Sequence, residues 1–143
     1  MASLVDSFKL PVLSLKGKAL DYAAAYAIGG EWLPPTKRRV HGSWSWFHAR
    51  EIVWLRYTRD VVPLHADPVY VERLMTYALR HWVVRKDATP GVVLEFQGDG
   101  RTLQVRGDSV GEVVCRALAY LKYGTHVMVP TCFLPSTVEE ATK

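Results

Sequence analysis

The chain predicts an α+β fold, a small antiparallel β-sheet packed with three main helices in the manner of an αβα sandwich. Three observations carry this. Val71, Leu74, Met75, Ala78, Leu79 and Trp82 fall at offsets 0, 3, 4, 7, 8 and 11, and Val110, Val113, Val114, Ala117, Leu118 and Leu121 repeat that stripe; both are amphipathic helices. A third stretch, Leu20 to Ala27, sets leucine and alanines at helical spacing. Between the two striped helices, Val92 to Phe96 and Thr102 to Val105 flank Gly98-Asp99-Gly100, which reads as a β-hairpin. At 143 residues the chain suits one domain over residues 1–143. With 49% hydrophobic and 22% charged residues its composition is globular.

Residues 1–13 show no clear period and read as a loose arm or an edge strand. Ser14 is placed to cap the first helix, Lys16 to Ile28, whose small-residue face of Ala23, Ala24 and Ala27 predicts close packing. Gly29 and Gly30 stop it, because glycine takes the left-handed conformation without a Cβ penalty. Residues 31–65 form a variable insertion rich in tryptophan and arginine: Pro34 and Pro35 exclude helix, Lys37 to Ser43 reads as a loop, and a strand from Ile52 to Tyr57 precedes Pro63. Asp67-Pro68 opens the second helix of about four turns, aspartate accepting from free first-turn amides and proline losing no hydrogen bond. Thr89-Pro90-Gly91 breaks the chain before the hairpin, in which Leu94 and Phe96 face one way. Ser109 and Glu112 match the capping box of the last helix, and Gly124 stops it. His126 to Val129 can add a short strand, and 135–143 reads as a frayed tail.

The formal net charge is +4, and residues 31–65 hold six cationic against three acidic residues, four of the five tryptophans and three of the five histidines. Concentration of this kind marks the place to look for an anionic, ring-containing partner. No apolar run approaches the 18 or so residues of a membrane span. Met1 to Leu15 lacks the pattern of a secretory leader. An intracellular, reducing setting is expected, with Cys115 and Cys132 as free thiols.

Three stretches carry a likeness to a known family. They are Leu20-Asp21-Tyr22-Ala23-Ala24-Ala25 with the Gly29-Gly30 stop, His65-Ala66-Asp67 at the second helix, and Asp108-Ser109 leading to Val113-Val114-Cys115-Arg116-Ala117-Leu118 and on to Val129-Pro130. In these the chain resembles small phage proteins with an αβα-sandwich domain, most of them without an assigned function. Residues 31–64 depart from the pattern, being longer and richer in tryptophan. The matching positions are cap and core, so they speak to fold more than to function. The resemblance implies a phage or prophage origin and a role in the cytoplasm of an infected bacterial host.

Lys37, Arg38 and Arg39 supply cations for phosphate, and Trp44 and Trp46, with Phe47 and His48, supply flat rings for stacking. Lys37, Arg38, Arg39, Trp44, Trp46 and His48 form the candidate ligand set with His65, against the plainer reading that the rings are core and the cations solvated. His48 with Glu51, and His65 with Asp67, are candidate acid–base pairs; capping or structural roles serve them equally. Arg80, His81 and Arg85 suit the end of the second helix, where cations complement the dipole. No nucleophile elbow, phosphate-cradling glycine loop or paired-histidine metal spacing is present, so no cofactor, metal or catalytic residue is expected. The expectation is a homo-oligomeric phage accessory protein of anti-defence type that sequesters a small anionic, nucleotide-like host immune signal without chemistry. The alternative is an inhibitor or adaptor that binds a host protein. The charge is too small and local for a strong duplex footprint, making nucleic acid an unfavoured partner, and hydrolysis of the same signal is a lower reading.

Overall fold

A buried helix near the C-terminus organises the molecule. The computed structural model describes residues 7–34, 36–37, 42–45, 63–79, 81–86, 91–98 and 100–134. Among them lie strand β1 (Ser7–Pro11), helix α1 (Gly17–Ala27), strands β2 (Glu31–Leu33) and β3 (Ser43–Ser45), helix α2 (Pro68–Tyr77), strands β4 (Val83–Lys86), β5 (Val92–Gly98) and β6 (Arg101–Gly107), helix α3 (Val110–Tyr123) and strand β7 (His126–Pro130). The strands form three small antiparallel sheets, β1 with β7, β2 with β3, and β4-β5-β6 in that order. The α+β class follows.

Helix α3 packs on α1, on α2 and on the three-stranded sheet. Its Gly111 to Ala119 are all buried, so the apolar surface wraps most of the helix instead of one stripe. Ser109 Oγ accepts from the Glu112 amide at 3.1 Å, as a capping box requires. The return bond differs from the expectation, since Glu112 Oε1 accepts from the Asp108 amide at 3.2 Å. Leu121, placed on the stripe by its spacing, is exposed. On the sheet side, Leu94 pairs with Val105 and Phe96 with Leu103, and Leu94 and Phe96 are fully buried. The opposite face carries Arg85, Glu95 and Gln104, joined by an Arg85–Glu95 contact of 3.1 Å and a Gln104–Glu95 hydrogen bond of 2.8 Å.

Three expectations are corrected. Ser14 does not cap α1: it sits in a 3-10 turn, Val12–Ser14, and its hydroxyl donates to Pro11 O at 3.3 Å, while the N-cap position is Lys16. Helix α2 closes at Tyr77, short of four turns, because the chain reverses to place Val83–Lys86 beside β5. Trp82 therefore lies beyond the helix, and its Nε1–H donates to Met75 O at 3.0 Å, satisfying one of the carbonyls that a helix end leaves open. Arg85, in turn, belongs to β4 and not to the helix terminus. Of the two readings of residues 1–13, the strand holds for Ser7–Pro11, which is β1, kept in register by β7. The expected strand over 52–57 and the tail from 135 lie outside the described residues.

Candidate functional site

A buried carboxylate faces the start of α2. Asp21 lies in the alanine-rich run of α1 and is 3% exposed. An acid there requires a partner, since stripping water from an unpaired charge is expensive. Its partner is His65, in the turn before α2. Asp21 Oδ1 accepts from the His65 backbone amide at 3.0 Å and meets His65 Nδ1 at 2.7 Å. Two bonds to one residue fix both the turn and the imidazole. Nδ1 is committed to the carboxylate, and no described residue takes a hydrogen bond at Nε2. The sequence-based pairing of His65 with Asp67 is thus replaced: Asp67 caps α2 through its own bond from the Val69 amide at 2.9 Å.

The hydrogen bond to Asp21 raises the His65 pKa above its ordinary value of 6.5, against the opposing effect of burial, and the charge of Glu112 adds to the rise. Burial raises the Asp21 carboxyl, opposed by the bonds from His65. Both shifts mean that the folded chain holds protons more tightly than the unfolded one. The stabilisation that His65 contributes is therefore complete below the ordinary histidine pKa and is lost as pH rises through its folded value, while that from the raised Asp21 carboxyl is lost in the acid range, as pH rises above its ordinary value. Urea midpoints measured from about pH 5 to about pH 8, where histidine titrates, should fall with pH through that step. The step should vanish in His65→Gln, and a step unchanged in that variant would assign it elsewhere.

His65 opens on a cavity of about 400 Å³ between the first turns of α2 and α3. Pro68, Val71, Met75 and Trp82 supply much of its apolar lining, and Glu72, Thr76 and Ser109 are polar residues that line it beside His65. The volume is that of a small-molecule site, and the mixture of apolar wall and few polar groups is the usual one. Trp82 is 40% exposed, yet its indole is anchored through the bond to Met75, so it offers a ring held in one orientation. Gly111 closes the floor by lying against the His65 backbone: a Cβ there would stand 1.8 Å from His65 O.

Of the other expected ligand residues, Lys37 is exposed on the stretch after β2, and it does not line this cavity. Trp44 is 5% exposed. It stands opposite Trp32 in the β2–β3 pair, with its ring 5.7 Å from Tyr22 and 5.8 Å from Tyr26. Both tryptophans of the central pair are thereby drawn into an aromatic cluster on α1 that also includes Phe133, where they contribute to the core and offer no stacking platform. Arg38, Arg39, Trp46 and His48, and with them the His48–Glu51 pair, lie outside the described residues. Sequence reasoning missed Asp21, Glu72, Trp82 and Ser109. Asp21 alone had left a signal, as the one acid inside an alanine face.

No protein-family model, curated protein or solved structure matches the chain. Fold and site define it as an α+β protein with an aspartate-oriented histidine that lines a cavity of about 400 Å³.

Proposed function

We propose that the protein binds a small nucleotide-type ligand in the cavity beside His65. The observation that carries this reading is the imidazole fixed by Asp21 at the mouth of a cavity walled by an anchored, exposed tryptophan. Trp82 takes the face of a base, a contact that is typically worth about 1–3 kcal/mol. His65, protonated more readily than a free histidine, meets the acidic group, helped by the positive ends of the α2 and α3 dipoles. Glu72 accepts from the sugar hydroxyls or an exocyclic amine, which favours such a ligand over a bare anion. Retaining the ligand withdraws it from a host receptor. The anti-defence setting, an infected bacterial cytoplasm and assembly as a homo-oligomer extend the reading through the resemblance to small phage αβα-sandwich proteins.

The test is thermal unfolding of the purified protein against a panel of linear and cyclic nucleotides. A ligand at 100 times its Kd adds about 2.7 kcal/mol, a shift of several degrees, and the shift should shrink in Trp82→Ala and His65→Gln. No shift with any nucleotide, or equal shifts in both variants, overturns the reading. A second reading, a binding surface for a host protein, is favoured by the exposed Val69, Tyr77 and Val83 on α2 and β4, since exposed apolar groups mark interaction surfaces. Capture of one stoichiometric host protein that survives in Trp82→Ala but not in Tyr77→Ala would establish it.

A further inference from the structure

Binding an acidic group asks only for a cation, which a lysine or arginine at position 65 would provide. It gives no use to a buried carboxylate behind the imidazole. The geometry points to a second role, which rests on the binding reading above: we propose that His65 is a general base, positioned by Asp21, that hydrolyses a phosphoester of the nucleotide-type ligand. Two features define the chemistry. Asp21 ties the His65 amide at 3.0 Å, which fixes the turn, and holds Nδ1 at 2.7 Å, so the ring cannot turn away without giving up its bond to the carboxylate. Nε2 is then the nitrogen with no acceptor or donor among the described residues, in a residue that lines the cavity.

The step balances with water alone. In the neutral imidazole, present as pH rises through the folded pKa of His65, Nε2 takes a proton from a water molecule as its oxygen bonds to phosphorus. The bond from phosphorus to the leaving oxygen, on the side opposite the water, breaks, that oxygen departs with the bonding pair as an oxyanion, and Nε2 passes its proton to solvent. One water is consumed, nothing is oxidised or reduced, and the histidine returns to its starting form. While it carries the proton, the imidazolium is stabilised by the Asp21 carboxylate. Among the described residues, the charged groups around it are Asp21 on α1, Glu72 on α2 and Glu112 on α3. Glu112 is itself engaged by Arg116 at 3.1 Å. Asp21 touches no ligand in this scheme and is a positioning residue, while His65 is the catalytic one.

The probe is the p-nitrophenyl ester of thymidine 5′-phosphate, a nucleotide phosphodiester whose cleavage releases a coloured phenolate. Release is measured with the full chain, and the melting shift caused by the same probe is measured in parallel. The wild-type chain should release phenolate at a rate proportional to protein. His65→Gln should lose that rate by about 10²–10⁴-fold, the usual share of a general base, while keeping its fold. Asp21→Asn should lower the rate and move the pH midpoint of release downward, because the imidazole no longer gains from a carboxylate. Added imidazole should restore release to a His65→Ala chain, which a purely structural histidine would not permit. A melting shift without release overturns the hydrolysis and leaves the binding reading standing. Release that persists at the wild-type rate in His65→Gln also overturns it. Neither shift nor release removes both.

Discussion

Replacing Arg116 by methionine is expected to destabilise the protein by about 3–5 kcal/mol, the usual result of breaking a buried ionic network by removing one member. Arg116 is 5% exposed in the middle of α3. Its Nε donates to Leu15 O at 3.0 Å, and its Nη1 donates to Arg106 O at 2.8 Å and meets Glu112 Oε1 at 3.1 Å. One side chain thus joins the segment before α1, the edge strand β6 and the cap of α3. Methionine preserves most of the volume, so the loss is not a cavity effect. It comes from two backbone carbonyls and a carboxylate left without a donor, each costing about 1–3 kcal/mol when buried and unsatisfied. Urea unfolding with an unchanged m-value should report the loss. Changing Glu112 to Gln in the same chain should recover only part of it, because the two carbonyls cannot be mutated away. A loss below about 1 kcal/mol, within the range of an exposed ion pair, would show that water replaces the guanidinium.

Gly111→Ala is the second large effect. Alanine normally gains up to about 1 kcal/mol over glycine in a helix, so propensity alone predicts stabilisation. The tertiary contact reverses the sign. The added Cβ would stand 1.8 Å from His65 O, 2.7 Å from its carbonyl carbon and 3.1 Å from its Cα. These are backbone atoms, which cannot swing aside as the tip of a long side chain does. The turn carrying His65 must lift from α3, at a cost in the overpacking range of about 1–3 kcal/mol or above, seen as a fall of some degrees in Tm. The same movement stretches the bonds from His65 to Asp21. Nucleotide-induced stabilisation should therefore drop by more than the change in Tm predicts. A variant as stable as the parent, with its ligand response intact, would mean that the turn has room to shift.

The two substitutions show where local reading of a sequence stops. Gly111 reads as a weak helix residue and Arg116 as a charge inside an apolar run; neither signal names a partner. The partners, His65, Leu15 and Arg106, lie 10 or more positions away. Trp82 is a parallel case. Its offset fitted the α2 stripe, yet the pairing of β4 with β5 ends the helix at Tyr77 and turns the indole into the wall of a cavity. Trp44 moved in the opposite direction, from a stacking surface to the core, because its neighbour across the hairpin is another tryptophan and α1 offers two tyrosines beneath.

What the sequence determined by itself were the features set by period and by short-range chemistry. The three helices came from residues repeating at 3 and 4, the β5–β6 hairpin from alternation about a glycine turn, and the starts of α2 and α3 from Asp67-Pro68 and Ser109-Glu112. Each depends on atoms within about one helical turn, whose geometry the backbone fixes locally. Tertiary structure alone decided the strand β4, the end of α2 and the site. Asp21 and His65 are 44 residues apart, and only the packing of α1 and α3 around the turn at 64–66 brings them together. Burial then makes that pairing obligatory, because a carboxylate taken out of water must find a donor wherever the fold places one.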